Sequence, residues 1–251
     1  MIIIPNVKIP RRVLQRVYDL SLRLRWMLIK LPTPYGWLTS YFYSGGLSYL
    51  FGRPSESNIL RYFNPKDGWI VIDVGAHVGW YTLIASKKVG PKGKVLAIEP
   101  EPRNFSILCK NIHDNRLNNV ISLRIALSDK DCYVALKISP SPAQHSITSY
   151  YEEGALIVKG KKIRYSYEGA YDRKSRLAKI DVEGHEFEVL KGSKKSLREG
   201  RISELIVESF RPSALKGYLE SFGYEVKVID NFNLWAYRRK SAHVVDFDHR
   251  H

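Results

Sequence analysis

From Trp69 onward, short apolar runs alternate with helical segments, and this alternation limits the fold more than any other feature of the sequence. Residues 69–75, WIVIDVG, are typical of a buried strand, and residues 79–90 predict a helix that ends at a glycine. Further strands are predicted over 93–101 and 119–128, with a helix between them. Repeated strand–helix units predict a parallel sheet of the α/β class with right-handed crossovers.

The second half of the chain continues the pattern after an irregular stretch. Residues 130–176 show little periodicity, and residues 138–154 within them predict a loop. The elements predicted next are a strand over 177–186, a helix over 187–200, a strand over 202–210 and a helix over 214–223. Apolar and polar residues alternate over residues 224–239 on both sides of an Asp-Asn pair, which predicts a terminal hairpin. Residues 241–251 predict a flexible tail.

The N-terminal region has a different character. Apolar residues recur at helical spacing over residues 11–31, RRVLQRVYDLSLRLRWMLIKL, and predict a basic amphipathic helix. This helix either lies on an anionic membrane or packs its apolar stripe on the rest of the chain. Residues 35–55 are aromatic and glycine-rich, which indicates a cap over a site or a second interfacial patch. We therefore expect a helical and aromatic extension over residues 1–60 that precedes a domain over 61–240.

The charge of the chain is strongly positive and unevenly distributed. The net charge is +15, and residues 1–66 carry +8 of it, with ten Lys or Arg against two Asp or Glu. Such a balance favours anionic partners, which include nucleic acid, acidic lipid head groups and phosphorylated substrates.

Cysteine usage and the first residues indicate the compartment. Cys109 and Cys132 lack metal or redox spacing, which predicts free thiols in a reducing environment. The chain starts with apolar residues before its charges, the reverse of a secretory signal, and no run approaches the roughly 18 apolar residues of a membrane span. We expect a cytoplasmic protein, or one held peripherally at the inner face of a membrane.

The stretch DVGAHVG after the first strand of the domain predicts a small-molecule site. It has the pattern D-x-G-x-x-x-G and not the G-x-G-x-x-G of dinucleotide-binding turns. Gly75 and Gly79 let the backbone approach a ligand closely, because they have no Cβ. The carboxylate of Asp73 disfavours a pyrophosphate there and suits S-adenosylmethionine, which carries an ammonium, a sulfonium and a ribose.

A second acid supports the same cofactor. Glu99 ends the next strand, 20 residues after Gly79, where an acid accepts the two ribose hydroxyls. Residues after the third strand are expected beside the adenine. The candidate cofactor residues are Asp73, Gly75, His77, Gly79, Tyr81, Thr82, Glu99, Pro100, Ala126 and Leu127.

Three segments together resemble the FkbM-type methyltransferase family: DVGAHVGWYT, AIEPEPRNF and KIDVEGHEFEVLKG. The resemblance covers about residues 60–240. It implies a Rossmann-like, doubly wound sheet of seven strands with a reversed C-terminal hairpin, and S-adenosylmethionine-dependent methylation, most often O-methylation of sugars, lipids or secondary metabolites. The sequence departs from the family pattern at two places. His77 stands where the family usually has Asn, and residues 161–179 replace a T-L-D element, which makes the acceptor pocket harder to predict than the cofactor pocket.

Methyl transfer to a hydroxyl needs alignment of the nucleophile and benefits from a general base. Asp181, Glu183 and His185 stand together where a strand meets a helix. Asp181 and Glu183 are candidates to orient the acceptor or to bind a metal, and His185 is a candidate base. Glu183 as a helix cap and His185 as a surface residue are the alternatives, and no metal is predicted. His145 is a second candidate base, and Glu208 is expected at the same rim.

Three functions remain open from the sequence. The first is O-methylation of a sugar, a glycolipid or a related small acceptor, by an enzyme that the basic N-terminal helix holds at a membrane near lipid-linked substrate. The second is methylation of RNA, which the positive charge favours, although no RNA-binding module is recognisable. The third is a methyltransferase fold retained for binding without catalysis. The oligomeric state is not predicted.

Overall fold

A computed structural model of the protein describes residues 26–42, 54–139, 145–148, 155–162 and 175–238. The strands are β1 (Leu28–Thr33), β2 (Gly36–Tyr41), β3 (Ile70–Val74), β4 (Lys94–Ile98), β5 (Val120–Leu123), β6 (Ala126–Leu127), β7 (Cys132–Lys137), β8 (Ser146–Thr148), β9 (Leu156–Lys161), β10 (Ser175–Ile180), β11 (Ile202–Glu208), β12 (Glu225–Val228) and β13 (Asn233–Tyr237). The helices are α1 (Pro54–Tyr62), α2 (Trp80–Val89), α3 (Pro102–Asp114), α4 (Glu186–Gly192), α5 (Lys194–Arg198) and α6 (Pro212–Glu220).

The central sheet has seven strands in the order β12-β13-β11-β10-β3-β4-β5. The five strands from β11 to β5 are parallel, and β13 runs antiparallel to both β11 and β12. The Rossmann-like sheet and its reversed C-terminal hairpin are therefore confirmed. The predicted helix over residues 187–200 is divided into α4 and α5, which meet at Ser193.

Two apolar clusters cover the two faces of this sheet, because successive strand residues point to opposite sides. Ile72 and Val74 of β3 pack with apolar residues of α4, α5 and α6. Val71, which precedes Ile72, packs with α1, α2 and α3 on the other face. Strands buried on both faces are continuous apolar runs, which is why β3, β4 and β11 are recognisable in the sequence.

A second sheet lies over the carboxyl edge of the first and was not predicted. Its four strands have the order β6-β9-β7-β8. The predicted loop over 138–154 is wrong where β8 pairs antiparallel with β7. Residues 140–144 and 149–154 of that loop lie outside the described residues. The error has a physical reason: β8 is three residues long, and its stability comes from pairing with β7, not from local propensity.

The N-terminal region also differs from its prediction. Residues 28–33 belong to the antiparallel hairpin β1–β2, so the predicted helix over 11–31 is wrong at its C-terminal end, and residues 11–25 lie outside the described part. The segment Leu-Pro-Thr-Pro disfavours helix, since each residue before a proline is pushed to extended backbone. Helix α1 runs across residue 60, where the extension was expected to end. Residues 43–53 and the tail over 241–251 also lie outside the described residues.

Asn111 of α3 and Asn115, the C-cap residue of that helix, attach the hairpin to the domain. The Asn111 side chain accepts from Thr39 N (2.8 Å) and donates to the carbonyl oxygens of Thr39 (2.8 Å) and Val78 (2.8 Å). The Asn115 side chain bonds in the same two-way manner to the backbone of Trp37. The hairpin thereby packs on the domain instead of forming a separate extension. No helix in the described ranges is long and apolar enough to span a membrane.

Candidate active site

The carboxyl ends of β3, β4 and β10 open into a pocket, as is usual for ligand sites of parallel sheets. Ten of the fourteen candidate residues from the sequence line it: Gly75, His77, Tyr81, Glu99, Pro100, Ala126, Leu127, His145, Asp181 and Glu183. Asp73, Gly79, Thr82 and His185 do not line it. Further lining residues include Trp80, Asn104, Leu136, Ile147 and Glu208.

The glycine loop is held in place by its backbone. The N–H groups of Gly75 and Ala76 both donate to the Ile98 carbonyl oxygen at 2.9 Å, which ties the loop to the end of β4. Gly75 has φ 78°, and a Cβ there would lie 1.7 Å from the Asp181 carbonyl oxygen. Only glycine fits such a close approach of two strand ends. Gly79 has φ 97° at the start of α2, where it supports the turn without reaching the pocket.

Asp73 supports the loop from behind the pocket. Its side chain is buried, and one carboxylate oxygen accepts a hydrogen bond from Thr82 Oγ1 at 2.5 Å. Burial raises the pKa of Asp73 to about 6, against the lowering effects of the Thr82 hydrogen bond and the Lys179 charge. Asp73 and Thr82 thus join β3 to α2 and are not among the residues that line the pocket, and the contact of this carboxylate with a cofactor stays a prediction.

Glu99 both lines the pocket and shapes the loop. Its Oε2 accepts from His77 N at 2.8 Å, and its Oε1 accepts from Glu101 N at 2.9 Å. His77 has φ 52°, which aims its N–H at that carboxylate. Burial raises the pKa of Glu99 to about 7, although both backbone hydrogen bonds lower it. Each oxygen keeps acceptor capacity for one further donor.

Asp181 and Glu208 form an acidic wall of the pocket, and a buried lysine lies between them. Lys179 is 1% exposed, yet its Nζ lies 3.1 Å from Asp181 Oδ2 and 3.9 Å from Glu208 Oε2. The same ammonium lies 5.2 Å from the centroid of the Tyr81 ring, within cation–π range. Asp181 and Glu208 are therefore held side by side as carboxylates at the rim, each partly exposed to the pocket.

Glu183, like Glu99, is a pocket carboxyl group whose pKa is raised to near neutral pH. It has φ 52° in the turn after β10, and the glycine that follows it is also left-handed. Burial raises the pKa of Glu183 to about 7, and the neighbouring charges of Asp181 and Glu186 raise it further while Lys179 lowers it. The alternative of Glu183 as a helix cap is not observed, since α4 starts after His185 and records no side-chain cap.

The two candidate histidines differ in position. His185 Nε2 lies 3.1 Å from Ser128 Oγ, and its Nδ1 lies 3.8 Å from Glu188 Oε2, outside the pocket. Burial lowers the pKa of His185. His185 is not among the residues that line the pocket, and its role as the base stays a prediction. His145 lines the pocket, and its Nδ1 accepts from Ser139 N at 3.1 Å.

The hydrogen bond to Nδ1 decides what His145 can do. Burial lowers its pKa, so the neutral form is favoured. With Nδ1 as the acceptor, the neutral ring carries its proton on Nε2 and is a donor toward the pocket.

The sequence leaves a metal site at Asp181 and Glu183 open. In the described part of the chain, no three His, Cys, Asp or Glu side chains are grouped to hold an ion.

The sequence matches the methyltransferase FkbM domain over residues 73–226, more than half of the chain. The chain belongs to the FkbM methyltransferase family. It is 33% identical over 157 residues to the hexuronic acid methyltransferase AglP of Haloferax volcanii, covering 61% of this chain and 62% of that protein. It is 28% identical over 189 residues to Methyltransferase 1 of Beauveria bassiana, covering 65% and 75%.

Among solved structures, the FkbM methyltransferase of Methylobacillus flagellatus is 17% identical, with a TM-score of 0.48 over 69% of this chain and 44% of that chain. The match to the Haloferax volcanii relative covers about three fifths of the length of that protein. The matched region begins within β3 and ends within β12, and it includes the glycine loop, Glu99 and the acidic wall.

Sequence reasoning missed Lys179, the residue that holds the acidic wall of this FkbM domain together. The signal was present: a single lysine interrupts the apolar strand before Asp181, in LAKID. In a strand buried on both faces, a lysine needs an anionic partner within reach, because an unpaired buried ammonium is costly.

Proposed function

We propose that the protein is an S-adenosylmethionine-dependent methyltransferase that methylates a hydroxyl group of a sugar in a glycan or glycolipid. The observation that carries the proposal is the composition of the pocket. One side has the glycine loop and Glu99, and the other side has three carboxyl groups, those of Asp181, Glu183 and Glu208. The first side suits a nucleoside, and the second suits a substrate rich in hydroxyl donors.

The residues of the first side fit the cofactor. The two Glu99 oxygens each hold one backbone N–H and keep a lone pair for a ribose hydroxyl. Ala126 and Leu127 are buried beside them and supply apolar surface for an adenine ring. Gly75 leaves the loop open where a side chain would clash. When bound, S-adenosylmethionine supplies a methyl group on a sulfonium, which is already activated for displacement.

Glu183 accepts the proton of the acceptor hydroxyl in this proposal. A general base works best when its pKa lies near the operating pH, and the pKa of Glu183 is raised to about 7. Asp181, fixed by Lys179, accepts a hydrogen bond from the same or a neighbouring hydroxyl and so orients it. His145 donates from Nε2, which suits a carboxylate or a hydroxyl oxygen.

The sugar class of the acceptor has two supports. Neighbouring hydroxyls of a sugar ring match a row of carboxylate acceptors at the rim. The archaeal relative is a hexuronic acid methyltransferase, and it shares 33% identity with this chain. A glycan or glycolipid acceptor also agrees with peripheral membrane contact through residues 11–31, which we retain as part of the proposal. RNA is the second candidate acceptor, because the net charge is +15.

The test supplies methyl-labelled S-adenosylmethionine and the purified protein to a cell extract, which is then split into lipid, glycan, RNA and protein. Label in the glycan or lipid fraction is expected. Glu183→Gln should lower that label at least a hundredfold without weakening the binding of S-adenosylhomocysteine measured by calorimetry. Glu220→Gln, an exposed glutamate of α6, is the matched control. Label confined to RNA or protein would overturn the sugar proposal.

A further inference from the structure

A second cavity adjoins the candidate active site on the side of α4 and α6. It lies at the ends of β10 and β11, and its wall includes Gly184 and Ser209. Their chain neighbours, Glu183 and Glu208, line the first pocket. The two cavities are therefore separated only by the turn after β10 and by the end of β11. A substrate longer than one unit that occupies the first cavity therefore has a second cavity within reach.

The second cavity has an aromatic wall that includes one exposed phenylalanine ring. Phe210 is 68% exposed, although it lies only two residues after the buried strand β11. Its ring stands edge-on to that of Phe232, with centroids 6.1 Å apart and an interplanar angle of 80°. Phe187 forms another part of the wall and packs against Tyr218 at 4.9 Å. An exposed phenylalanine ring beside a catalytic pocket offers a face to a ligand.

Polar side chains of both signs surround the aromatic wall. Arg211 is exposed and, among the described residues, makes no ion pair. Glu188 lies on the other side and interacts with Lys191 at 3.8 Å. Glu186 is buried and bound to Gly184 N, so its carboxylate is directed to the backbone. This mixture provides no excess positive charge for a phosphate, and its polar rim does not suit an acyl chain.

A sugar ring matches this combination. Its C–H face is attracted to the negative face of an aromatic ring, and its hydroxyls bond to planar charged groups at the rim. We propose that this cavity binds the sugar unit next to the one that is methylated, with Phe210 as the stacking platform and Arg211 and Glu188 as hydroxyl partners. The acceptor is then an oligosaccharide, not a monosaccharide. This inference rests on the proposed sugar methylation.

The experiment uses the glycan pool of the extract, separated by size into monosaccharides and oligosaccharides at equal sugar concentration. The full-length protein and methyl-labelled S-adenosylmethionine are added to each fraction. The oligosaccharides should be labelled at least ten times faster than the monosaccharides. Phe210→Ala should reduce that preference at least fivefold, and Phe210→Tyr should retain it, because the ring face is kept.

Tyr133→Ala is the matched control, since Tyr133 is 71% exposed on β7 and alternates with Leu136, which lines the first pocket. It should leave the preference unchanged. Thermal unfolding of each variant checks folding, and an exposed ring should shift the midpoint by only a few degrees. Equal labelling of both fractions, or a preference that Phe210→Ala leaves intact, overturns the subsite alone. Absence of label from every sugar fraction, with label in RNA or protein, overturns the sugar proposal and the subsite together.

Discussion

Replacement of Lys179 by Met tests whether the buried ammonium organises the acidic wall. Methionine has a similar length and keeps the strand apolar, so the substitution removes mainly the charge. At 3.1 Å and an effective dielectric constant of about 20, the attraction between Lys179 and Asp181 is about 5 kcal/mol. The Asp181 side chain is 32% exposed, so water recovers part of this loss. We take about 2 kcal/mol as the net effect, between the values for exposed and buried pairs.

That energy corresponds to roughly a 30-fold loss of kcat/KM if it appears fully in the transition state. The pH dependence carries more information than the rate. Lys179 lowers the pKa of Glu183, which is about 7 in the intact protein. Its removal raises that pKa, and a base has to be deprotonated to act. The acid limb of the kcat/KM profile should therefore move to higher pH.

The assay measures transfer of labelled methyl groups from pH 5.5 to 9 for the intact protein, Lys179→Met and Lys216→Met. The last variant removes an exposed lysine of α6 that pairs with Glu220 at 3.8 Å, and its profile should match that of the intact protein. If Lys179→Met changes the melting temperature but keeps kcat/KM within threefold and the inflection in place, the lysine is structural and the reasoning fails.

Four further predictions concern the loop and its supports. Burial raises the pKa of Glu99 from 4.5 to about 7, so the contribution of Glu99 to folding stability is complete below pH 4.5 and is lost as pH rises through 7. Glu99→Gln should therefore flatten the fall in melting temperature between pH 4.5 and 7. A slope identical to that of the intact protein would contradict the assignment. Gly75→Ala should abolish S-adenosylhomocysteine binding in calorimetry, whereas Gly217→Ala, with open space around it, should not; equal binding by both would count against the close approach. His185→Ala should keep kcat/KM within threefold, and a loss of more than tenfold would support its role as the base. Asn111→Ala removes three buried hydrogen bonds and should cost about 3 kcal/mol in urea unfolding, and a cost below about 1 kcal/mol would mean that the hairpin is not held this way.

Much of the central sheet was predictable because its signals are local. The run from Trp69 to Gly75 is mostly apolar and ends at glycine, and the strand before Glu99 is an apolar run that follows a glycine. The turn around Asp230 is equally local: its Oδ1 accepts from Phe232 N at 3.0 Å, which gives the aspartate a structural role in the terminal hairpin.

The elements that were mispredicted depend on distant partners. The apolar spacing of residues 28–33 suits a helix and a strand alike, and pairing with Gly36–Tyr41 decides for the strand. β7 and β9 pair across a segment of turn-forming residues, so neither is evident from its own sequence. Short strands of this kind acquire their stability from the sheet that they join.

The candidate site was predicted as a set of residues but not as a geometry. The spacing of Asp73 and Glu99 indicates strand ends, but it does not say that Asp73 faces Thr82 and Glu99 faces the pocket. Likewise, the motif does not say that Glu183 and Gly184 are both left-handed, or that the His185 ring lies beside Ser128. Backbone with positive φ at a non-glycine residue is rare enough that the motif alone does not reveal it.

The double attachment of Asn111 gives the FkbM domain a mechanical link. One side-chain amide holds the hairpin at Thr39 and the glycine loop at Val78, so a displacement of the loop is transmitted to the hairpin. Trp37 stands 51% exposed on that hairpin, two residues from the attachment point. The indole therefore lies on the element to which the loop is attached, whereas Trp80 lines the pocket itself; in a Trp80→Phe variant, occupancy of the cofactor pocket should still change the tryptophan fluorescence.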